Sequence, residues 1–283
     1  MIQIRISRPE DIPRQRELWQ LAFGDDGAYV DNFYNAYYQP ERVLLLEEDG
    51  VVQAMTAWFE TTFAVPGQGR YRAAYLYAVA THPEARGRGL AGQLLAGADR
   101  IFREWDIPAV TTVPAEPSLH RFFGWNGFRE CFVDGQFSAP REGHGIRTVS
   151  AVLKRLTPEE YRDLREGLLA GTAHIDLPQE ALAYQAGACA LAPGGGLYAL
   201  RTPHGRAALC AEGMECGGLL VKELLCPPED LDWAARTAEA KKKLDCSSAQ
   251  FWRVEEGLCV QMMHLGPFDT ESASLSQMEE FLS

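Results

Sequence analysis

The sequence predicts a mixed α/β fold of the α+β type, built from two tandem copies of one domain. Two observations predict it. In the first half, segments whose apolar residues alternate at period two are interleaved with segments at helical spacing. After the Pro- and Gly-containing segment 140–145, which breaks any continuing element, a similar series restarts. We therefore expect two domains, 1–140 and 146–283, each with a mixed, mostly antiparallel sheet flanked by helices.

The elements of the first half follow from hydrophobic periodicity and from turn residues. Asp49 and Gly50 form a strong hairpin signal, and Gly24 and Pro83 each end an element. The predicted order is strand 2–7, helix 10–23, helix 29–38, strands 42–47, 51–61 and 71–81, helix 90–105, strand 107–113, helix 119–126 and strand 129–137.

The second half repeats part of this order. Thr157-Pro158-Glu159-Glu160 opens a helix as Arg8-Pro9-Glu10-Asp11 does, with Pro in the first turn and acids behind it. The elements that follow are strands 197–201, 206–211 and 219–226, helix 230–244 and strand 250–254.

Composition limits the classes of function. The chain has 283 residues, of which 27 are Lys or Arg and 39 are Asp or Glu, so its net charge is −12. An acidic body disfavours binding to nucleic acid phosphates and favours cationic small molecules. With 46% hydrophobic and 23% charged residues, the chain is of globular rather than disordered type.

Cysteine usage and the first residues indicate the compartment. The chain has seven cysteines and no C-x-x-C pair, which argues against a structural zinc site and favours reduced thiols. The start is charged from Arg5 onward, and no segment approaches the roughly 18 apolar residues of a membrane span. We expect a cytoplasmic protein with no metal and no membrane partner.

The segment from Tyr75 to Gly92 carries the chemistry. A strand runs into a glycine-rich turn that opens a helix, and the first N–H groups of that helix form an anion site. Glycine allows the backbone to approach a ligand closely, while Arg86 and Arg88 add donors suited to phosphate oxygens. The pattern predicts a pyrophosphate site.

Two other phosphate loops can be compared with this turn. A Walker A loop needs Gly-Lys-Ser/Thr, which the turn lacks. Gly87, Gly89 and Gly92 do spell the dinucleotide fingerprint G-x-G-x-x-G, but that fingerprint follows the first strand of a β-α-β unit. Here the glycines follow the fourth predicted strand, so dinucleotide binding is the less favoured alternative.

The sequence resembles the GCN5-related N-acetyltransferases (GNAT). Arg86-Gly87-Arg88-Gly89-Leu90-Ala91 fits their signature Gln/Arg-x-x-Gly-x-Gly/Ala, and 79–83 and Gly127-Phe128 resemble the flanking strand and a late Gly-Phe pair. The likeness is closest over 1–137. It is strongest to the tandem-domain branch that includes enhanced-intracellular-survival-type enzymes.

The resemblance implies acetyl-coenzyme A as cofactor and gives roles to main-chain groups. The N–H of Val79 would stabilise the oxyanion that develops on the thioester, and the main chain of Thr81 would pair with the pantetheine arm. The residues that would hold the pyrophosphate are Arg86, Gly87, Arg88, Gly89, Leu90, Ala91 and Gly92.

The same resemblance leaves the proton donor open. The family commonly uses a Tyr four residues before Gly-Phe, but Phe123 stands there and cannot donate. In the aminoglycoside-modifying branch the Tyr lies slightly earlier, at the position of His120, which can donate or accept near neutral pH. A solvent-facing histidine on a turn is the competing interpretation.

Other candidate catalytic residues lie on strands. Alternation at period two places Tyr75 and Tyr77 on one face with Val79 and Thr81, so both tyrosines would face the cleft, although a half-buried strand face also favours Tyr. Glu60 could take a proton from the amine, although a lone acid in a strand more often faces solvent.

The matching junction of the second half differs. Between 223 and 233 no Gly or Arg stands in the place of the first turn, and the acids Glu229, Asp230 and Asp232 would repel a pyrophosphate. We expect that the amino-terminal copy alone binds coenzyme A and that the degenerate copy shapes the acceptor cleft.

The function that follows is acetyl transfer from acetyl-coenzyme A to a primary amine of a small cationic or peptide acceptor by direct attack. The alternative is an acyl-coenzyme A-binding sensor with little or no turnover. The sequence leaves the acceptor and the oligomeric state open.

Overall fold

The computed structural model describes residues 1–114, 117–132, 153–213, 219–230 and 258–262. These residues form two compact units. The amino-terminal unit comprises the described residues within 1–134, 172–176 and 256–283, and the carboxy-terminal unit those within 135–171 and 177–255.

Twelve strands and six α-helices are present in the described part of the chain. The strands are β1 (Ile2–Ile6), β2 (Val43–Glu48), β3 (Val51–Val65), β4 (Gly69–Thr81), β5 (Ala109–Thr112), β6 (Arg129–Phe132), β7 (Leu153–Arg155), β8 (His174–Asp176), β9 (Gly196–Arg201), β10 (Arg206–Gly213), β11 (Leu219–Leu225) and β12 (Leu258–Met262). The helices are α1 (Ile12–Phe23), α2 (Gly27–Ala36), α3 (Leu90–Glu104), α4 (Pro117–Trp125), α5 (Pro158–Leu169) and α6 (Gln179–Ala190).

The amino-terminal unit contains a sheet of eight strands in the order β1-β2-β3-β4-β5-β12-β6, with β8 paired to the outer part of β3. Its neighbouring strands are antiparallel except for β4 and β5, which are parallel. The predicted mixed, mostly antiparallel sheet flanked by helices is therefore confirmed for this unit.

Each face of this sheet buries a different kind of side chain. Trp58 and Leu76 pack with Leu94 and Phe102 of α3 in an apolar core. On the opposite face, Phe59 and its neighbours pack against the aromatic residues of α1 and α2. Because side chains alternate along a strand, consecutive residues of β3 serve the two layers in turn.

The carboxy-terminal unit contains a sheet in the order β11-β10-β9-β7, with every neighbouring pair antiparallel. Helices α5 and α6 pack on this sheet around the buried residues Tyr161, Leu182 and Cys210. Helix α5 begins with a capping box, in which Thr157 and Glu160 satisfy each other's backbone N–H groups.

Several predicted elements match and several were missed. The strands predicted in 197–226 are β9, β10 and β11, whereas α6 and the short strands β7, β8 and β12 were not predicted. The predicted linker 140–145 lies outside the described residues, as do the strand at 250–254 and all but the first residue of the helix at 230–244.

Candidate active site

The site begins where the parallel strands β4 and β5 separate. Their ladder pairs Ala73, Ala74 and Tyr75 with β5, and the hydroxyl of Thr112 then donates to the Leu76 carbonyl at 3.4 Å. A side chain thus takes the place of the next backbone partner. Beyond this point β4 runs on to Thr81 outside the parallel ladder, so its edge can accept a ligand as an added strand would be accepted.

A β-bulge bends β4 at this opening. Ala78 and Val79 together stand opposite Thr56, and Ala78 has φ of +51°, which is uncommon for a residue other than glycine. The extra residue reverses the alternation of side chains. Val79 packs with the cluster that contains Leu76 and α3, whereas Tyr77 packs against Trp19. The expectation that Tyr77 and Val79 share a face is therefore wrong.

Thr81 presents its main chain at the open edge of β4. The N–H of His82 donates to the Gln53 carbonyl of β3 at 2.8 Å, so the preceding residue directs its N–H and C=O the other way. On that side, Nε of Arg86 donates to the Thr81 carbonyl at 3.3 Å.

The turn after β4 has the backbone that the glycines predicted. A 3₁₀ turn, Pro83–Ala85, leads to Gly87 with φ of +75° and to Gly89 with φ of +74°, which is the N-cap of α3. No atom would lie within 4 Å of a Cβ built on either glycine. Both glycines therefore border open space in front of the first N–H groups of a helix of 15 residues.

Arg88 is already paired within the protein. Its two terminal nitrogens contact the Glu48 carboxylate at 2.9 and 2.5 Å, which raises the pKa of Arg88 above its ordinary value. Arg86, in contrast, is exposed and bonds to a neutral carbonyl oxygen. The two arginines that the sequence treated alike thus differ in their freedom to bind an anion.

Gly92 has a different role from the other two glycines. A Cβ there would lie 3.3 Å from Oδ1 of Asn126, which follows α4. Gly92 therefore allows the end of α4 to approach the first turn of α3. A cavity of about 160 Å³ lies behind this contact, and its lining includes Leu76, Leu95 and Asp99.

Tyr77 belongs to an aromatic cluster on the α1 and α2 side of the sheet. Its ring packs against Trp19, Phe33 and Phe59 at centroid distances of 5.5, 6.1 and 5.2 Å. Its hydroxyl lies 3.4 Å from that of Tyr29. Tyr77 is half-buried, so the cluster is part of the core and part of an accessible surface.

His120 lies on α4 and is paired with an acid. Its Nδ1 is 2.7 Å from Oε1 of Glu130 on β6, and 26% of its side chain is exposed. Phe123, one turn further along α4, is buried against Phe128 in the core. The position of the usual Tyr is thus a packing position in this protein.

Glu60 is separated from the tyrosines by strand alternation. It stands opposite Ala74 in the β3–β4 ladder, whereas Tyr75 stands opposite Phe59 on the other face. Its Oε2 lies 3.5 Å from Nη2 of Arg42. The structure therefore does not bring Glu60 and Tyr77 together.

Sequence reasoning missed several residues of the site. Glu48, Ala78, Thr112 and Glu130 each act through a partner distant in sequence, and no local pattern marks them. The packing of the aromatic residues of 29–38 against β4 was likewise not predicted.

Two observations concern other classes of site. In the part of the chain that the structure describes, no group of three or more His, Cys, Asp or Glu side chains is placed to hold a metal ion. Among the same residues, no helix has both the length and the apolar character needed to cross a bilayer.

Comparison with known proteins identifies the family of the amino-terminal domain. Residues 3–127 match the family of the Acetyltransferase (GNAT) domain. A comparison with curated proteins found no match.

Solved structures share the fold over most of the chain. Eis1 from Mycobacterium abscessus is 14% identical with a TM-score of 0.64, covering 92% of this chain and 73% of that chain. GCN5-related N-acetyltransferases from Anabaena variabilis and Kribbella flavida are each 16% identical, with TM-scores of 0.64 and 0.61; each match covers 93% of this chain, and 73% and 71% of the respective relatives.

At these identities the likeness shows the fold, and the matched domain carries the family. Both agree with the resemblance seen in the sequence, and acetyl-coenzyme A is the cofactor that the family implies. Residues 3–127 therefore form a domain of the Acetyltransferase (GNAT) family.

Proposed function

We propose that the protein transfers an acetyl group from acetyl-coenzyme A to a primary amine of a small cationic or peptide acceptor by direct attack. The observation that carries this proposal is the turn of Gly87 and Gly89, whose left-handed backbone borders open space at the start of α3. The turn adjoins the exposed edge of β4, so a diphosphate and an extended arm can be held by one continuous surface.

The residues of this surface fit acetyl-coenzyme A, the acetyl donor. The turn from Arg86 to Gly89 and the first N–H groups of α3 would hold the pyrophosphate, with Arg86 as the accessible cation. The main chain of Thr81 would pair with the pantetheine arm. The N–H of Val79, directly after the bulge, would stabilise negative charge on the thioester oxygen.

The aromatic cluster supports a cationic acceptor. Half-buried Tyr75 and Tyr77 offer ring faces, and a cation over an aromatic face is stabilised by the ring quadrupole. Asp25, which accepts a hydrogen bond from Nε1 of Trp19 at 2.7 Å, places a carboxylate at the edge of the same cluster. These groups favour an ammonium over an anionic substrate.

Proton transfer falls to His120 and Tyr77. The attacking amine loses one proton in the reaction and the leaving sulfur gains one. His120 is our candidate donor to sulfur, and Tyr77 with its hydroxyl neighbour Tyr29 is our candidate group near the amine. Glu60 is the weaker candidate because it lies on the other face of the sheet.

We also propose that residues 146–283 carry a second, degenerate copy of the domain in 1–140. The order β7-β9-β10-β11 corresponds to β1-β2-β3-β4, and α5 and α6 precede β9 as α1 and α2 precede β2. The copies are not separate in sequence, because β8 and β12 complete the amino-terminal sheet. We place the reaction in the cytoplasm on the sequence grounds given above.

The alternative function is a sensor that binds acyl-coenzyme A without turnover. The burial of Phe123 where the family commonly has a proton donor favours it.

Calorimetry and thiol release distinguish the two functions. We expect one coenzyme A bound per chain, and free thiol produced from acetyl-coenzyme A when a diamine or a lysine-containing peptide is added. Binding without thiol release across cationic, neutral and peptide amines would favour the sensor. Failure to bind coenzyme A would refute both.

A further inference from the structure

A glycine-containing turn brings Glu130 beside His120. Helix α4 ends at Trp125, and Asn126 and Gly127 follow it, with Gly127 at φ of +88°. The N–H of Phe128 donates back to the Phe123 carbonyl at 3.1 Å, which closes the end of the helix. The chain then enters β6 at Arg129, so Glu130 is the second residue of that strand.

The contact between the two side chains orders the imidazole. Glu130 accepts from one ring nitrogen, Nδ1, at 2.7 Å. A carboxylate can only accept, so it selects the tautomer with the proton on Nδ1 and leaves Nε2 to exchange protons. The side chain of Glu130 is 68% exposed and that of His120 is 26% exposed, so the acid lies on the solvent side of the ring.

Helix α4 starts at the end of the sheet where β4 and β5 separate. Strands β4 and β5 are parallel, so the opening beyond Leu76 is at their carboxyl ends. Helix α4 follows β5 in the chain, and His120 is its fourth residue.

We propose that Glu130 is a positioning residue for acetyl transfer, acting through His120; the proposal rests on the proposed function. The amine nitrogen forms its bond to the acetyl carbon, and the bond between carbon and sulfur breaks. His120 donates its Nε2 proton to the departing sulfur, and the proton lost by the amine returns to the ring through solvent. Glu130 remains ionised and keeps the Nδ1 proton throughout.

The first test compares Glu130→Gln with Glu130→Asp. We expect the Gln variant to lower kcat about tenfold while the affinity for coenzyme A changes less than about twofold, since the carboxylate acts on the chemical step. The Asp variant should recover part of the loss. Glu104→Gln, which removes an equal charge from the exposed end of α3, is the matched control and should keep the wild-type kcat.

Two further measurements separate positioning from folding. Nitrogen NMR of the free Glu130→Ala protein should show less of the Nδ1-protonated ring, because alanine offers no acceptor. In a His120→Ala background, Glu130→Gln should change kcat less than about twofold, because residues that act through one another are not additive.

Each failure has a distinct meaning. An equal fall in kcat from Glu130→Gln with and without His120 would overturn the positioning role, as would a wild-type kcat in the Gln variant. Wild-type protein that binds no coenzyme A would instead refute the proposed function, and this proposal with it. An unchanged NMR tautomer in Glu130→Ala would overturn the pairing itself.

Discussion

The two sheets end their fourth strands in the same way and then diverge. Strand β4 is followed by the 3₁₀ turn Pro83–Ala85, and β11 is followed by the 3₁₀ turn Pro228–Asp230. After the first turn come two arginines and two glycines, whereas the second turn itself carries Glu229 and Asp230. A 3₁₀ turn follows the strand in both sheets, but the charged residues at the two turns are of opposite sign.

The residue of the neighbouring hairpin that pairs with each junction also differs in chemical character, being an acid in one unit and a histidine in the other. In the amino-terminal unit, Glu48 at the end of β2 binds Arg88 of the turn. In the carboxy-terminal unit, His204 between β9 and β10 binds buried Asp230 through its main-chain N–H at 3.1 Å and its Nδ1 at 2.7 Å. The comparison teaches that a few residues, and not the sheet, decide whether a junction can accept an anion.

The largest expected effect is the loss of the first junction's anion site. Gly89→Asp places a residue with a Cβ at φ of +74° and adds a negative charge where the diphosphate would lie. We expect the affinity for coenzyme A, measured by calorimetry, to fall more than about 100-fold, which corresponds to roughly 2.7 kcal/mol.

Gly67→Asp is the control for this substitution. Gly67 lies before β4, has the same φ of +74°, and likewise has no atom within 4 Å of a built Cβ. It should lower the unfolding temperature by a similar amount and leave binding intact. Equal losses of affinity in the two variants would mean that strain, and not the anion site, is being measured.

The second effect separates the two arginines. Arg86→Ala should weaken coenzyme A binding about tenfold, whereas Arg88→Ala should weaken it only about threefold, because Arg88 must share its donors with Glu48. Glu48→Gln should therefore raise the affinity, but only while Arg88 is present. A larger loss from Arg88→Ala than from Arg86→Ala in the same titration would contradict this assignment.

The local parts of the site could be predicted from the sequence. The glycine-rich turn was recognisable because consecutive residues determine both its conformation and its charge, and Gly87 and Gly89 do have positive φ. Strands β2, β3 and β4 were recognisable for the same reason, since alternation and the Asp49-Gly50 turn act over short distances.

The other features of the fold and the site depend on pairing between residues that are distant in sequence. The bulge at Ala78 comes from the register of β4 against β3, and alanine has no conformational preference that would predict it. Helix α6 is rich in alanine and apolar on several sides, so the helical period was hidden. Strand β12 lies between β5 and β6, more than a hundred residues away in sequence, and nothing local encodes that insertion.

The third effect tests the pairing of His204 with Asp230 at the second junction. Burial opposes ionisation of Asp230, but hydrogen bonds, including those from His204, outweigh it and hold the pKa of the carboxyl below its ordinary value. A lowered acid pKa contributes stability above the ordinary aspartate range, and the contribution is lost as pH falls through the folded value. Asp230→Asn should therefore unfold at a lower temperature than wild type at pH 7.

Thermal unfolding measured at several pH values checks the direction of this effect. The gap between Asp230→Asn and wild type in thermal unfolding should close as the pH falls below the ordinary aspartate range. Coenzyme A affinity should stay at the wild-type value, since we expect the amino-terminal junction alone to bind coenzyme A. A weaker affinity, or a gap that widens in acid, would break the comparison.

The smallest expected effect distinguishes glycines that border the ligand from a glycine that allows helix packing. Gly92→Ala adds helix propensity of up to about 1 kcal/mol, but its Cβ would press on Oδ1 of Asn126 at 3.3 Å. Asn126 is tied by a 2.8 Å bond from Nδ2 to the Phe122 carbonyl, so it yields only at a cost.

We therefore expect Gly92→Ala to be neutral or slightly destabilising in urea unfolding, and to become stabilising when Asn126→Ala removes the contact. Such coupling would assign Gly92 to the packing of α4 on α3, and Gly87 and Gly89 to the anion. If Gly92→Ala weakened coenzyme A binding equally in both backgrounds, Gly92 would belong to the pyrophosphate site. The anion site would then include the first turn of α3 as well as Gly87 and Gly89.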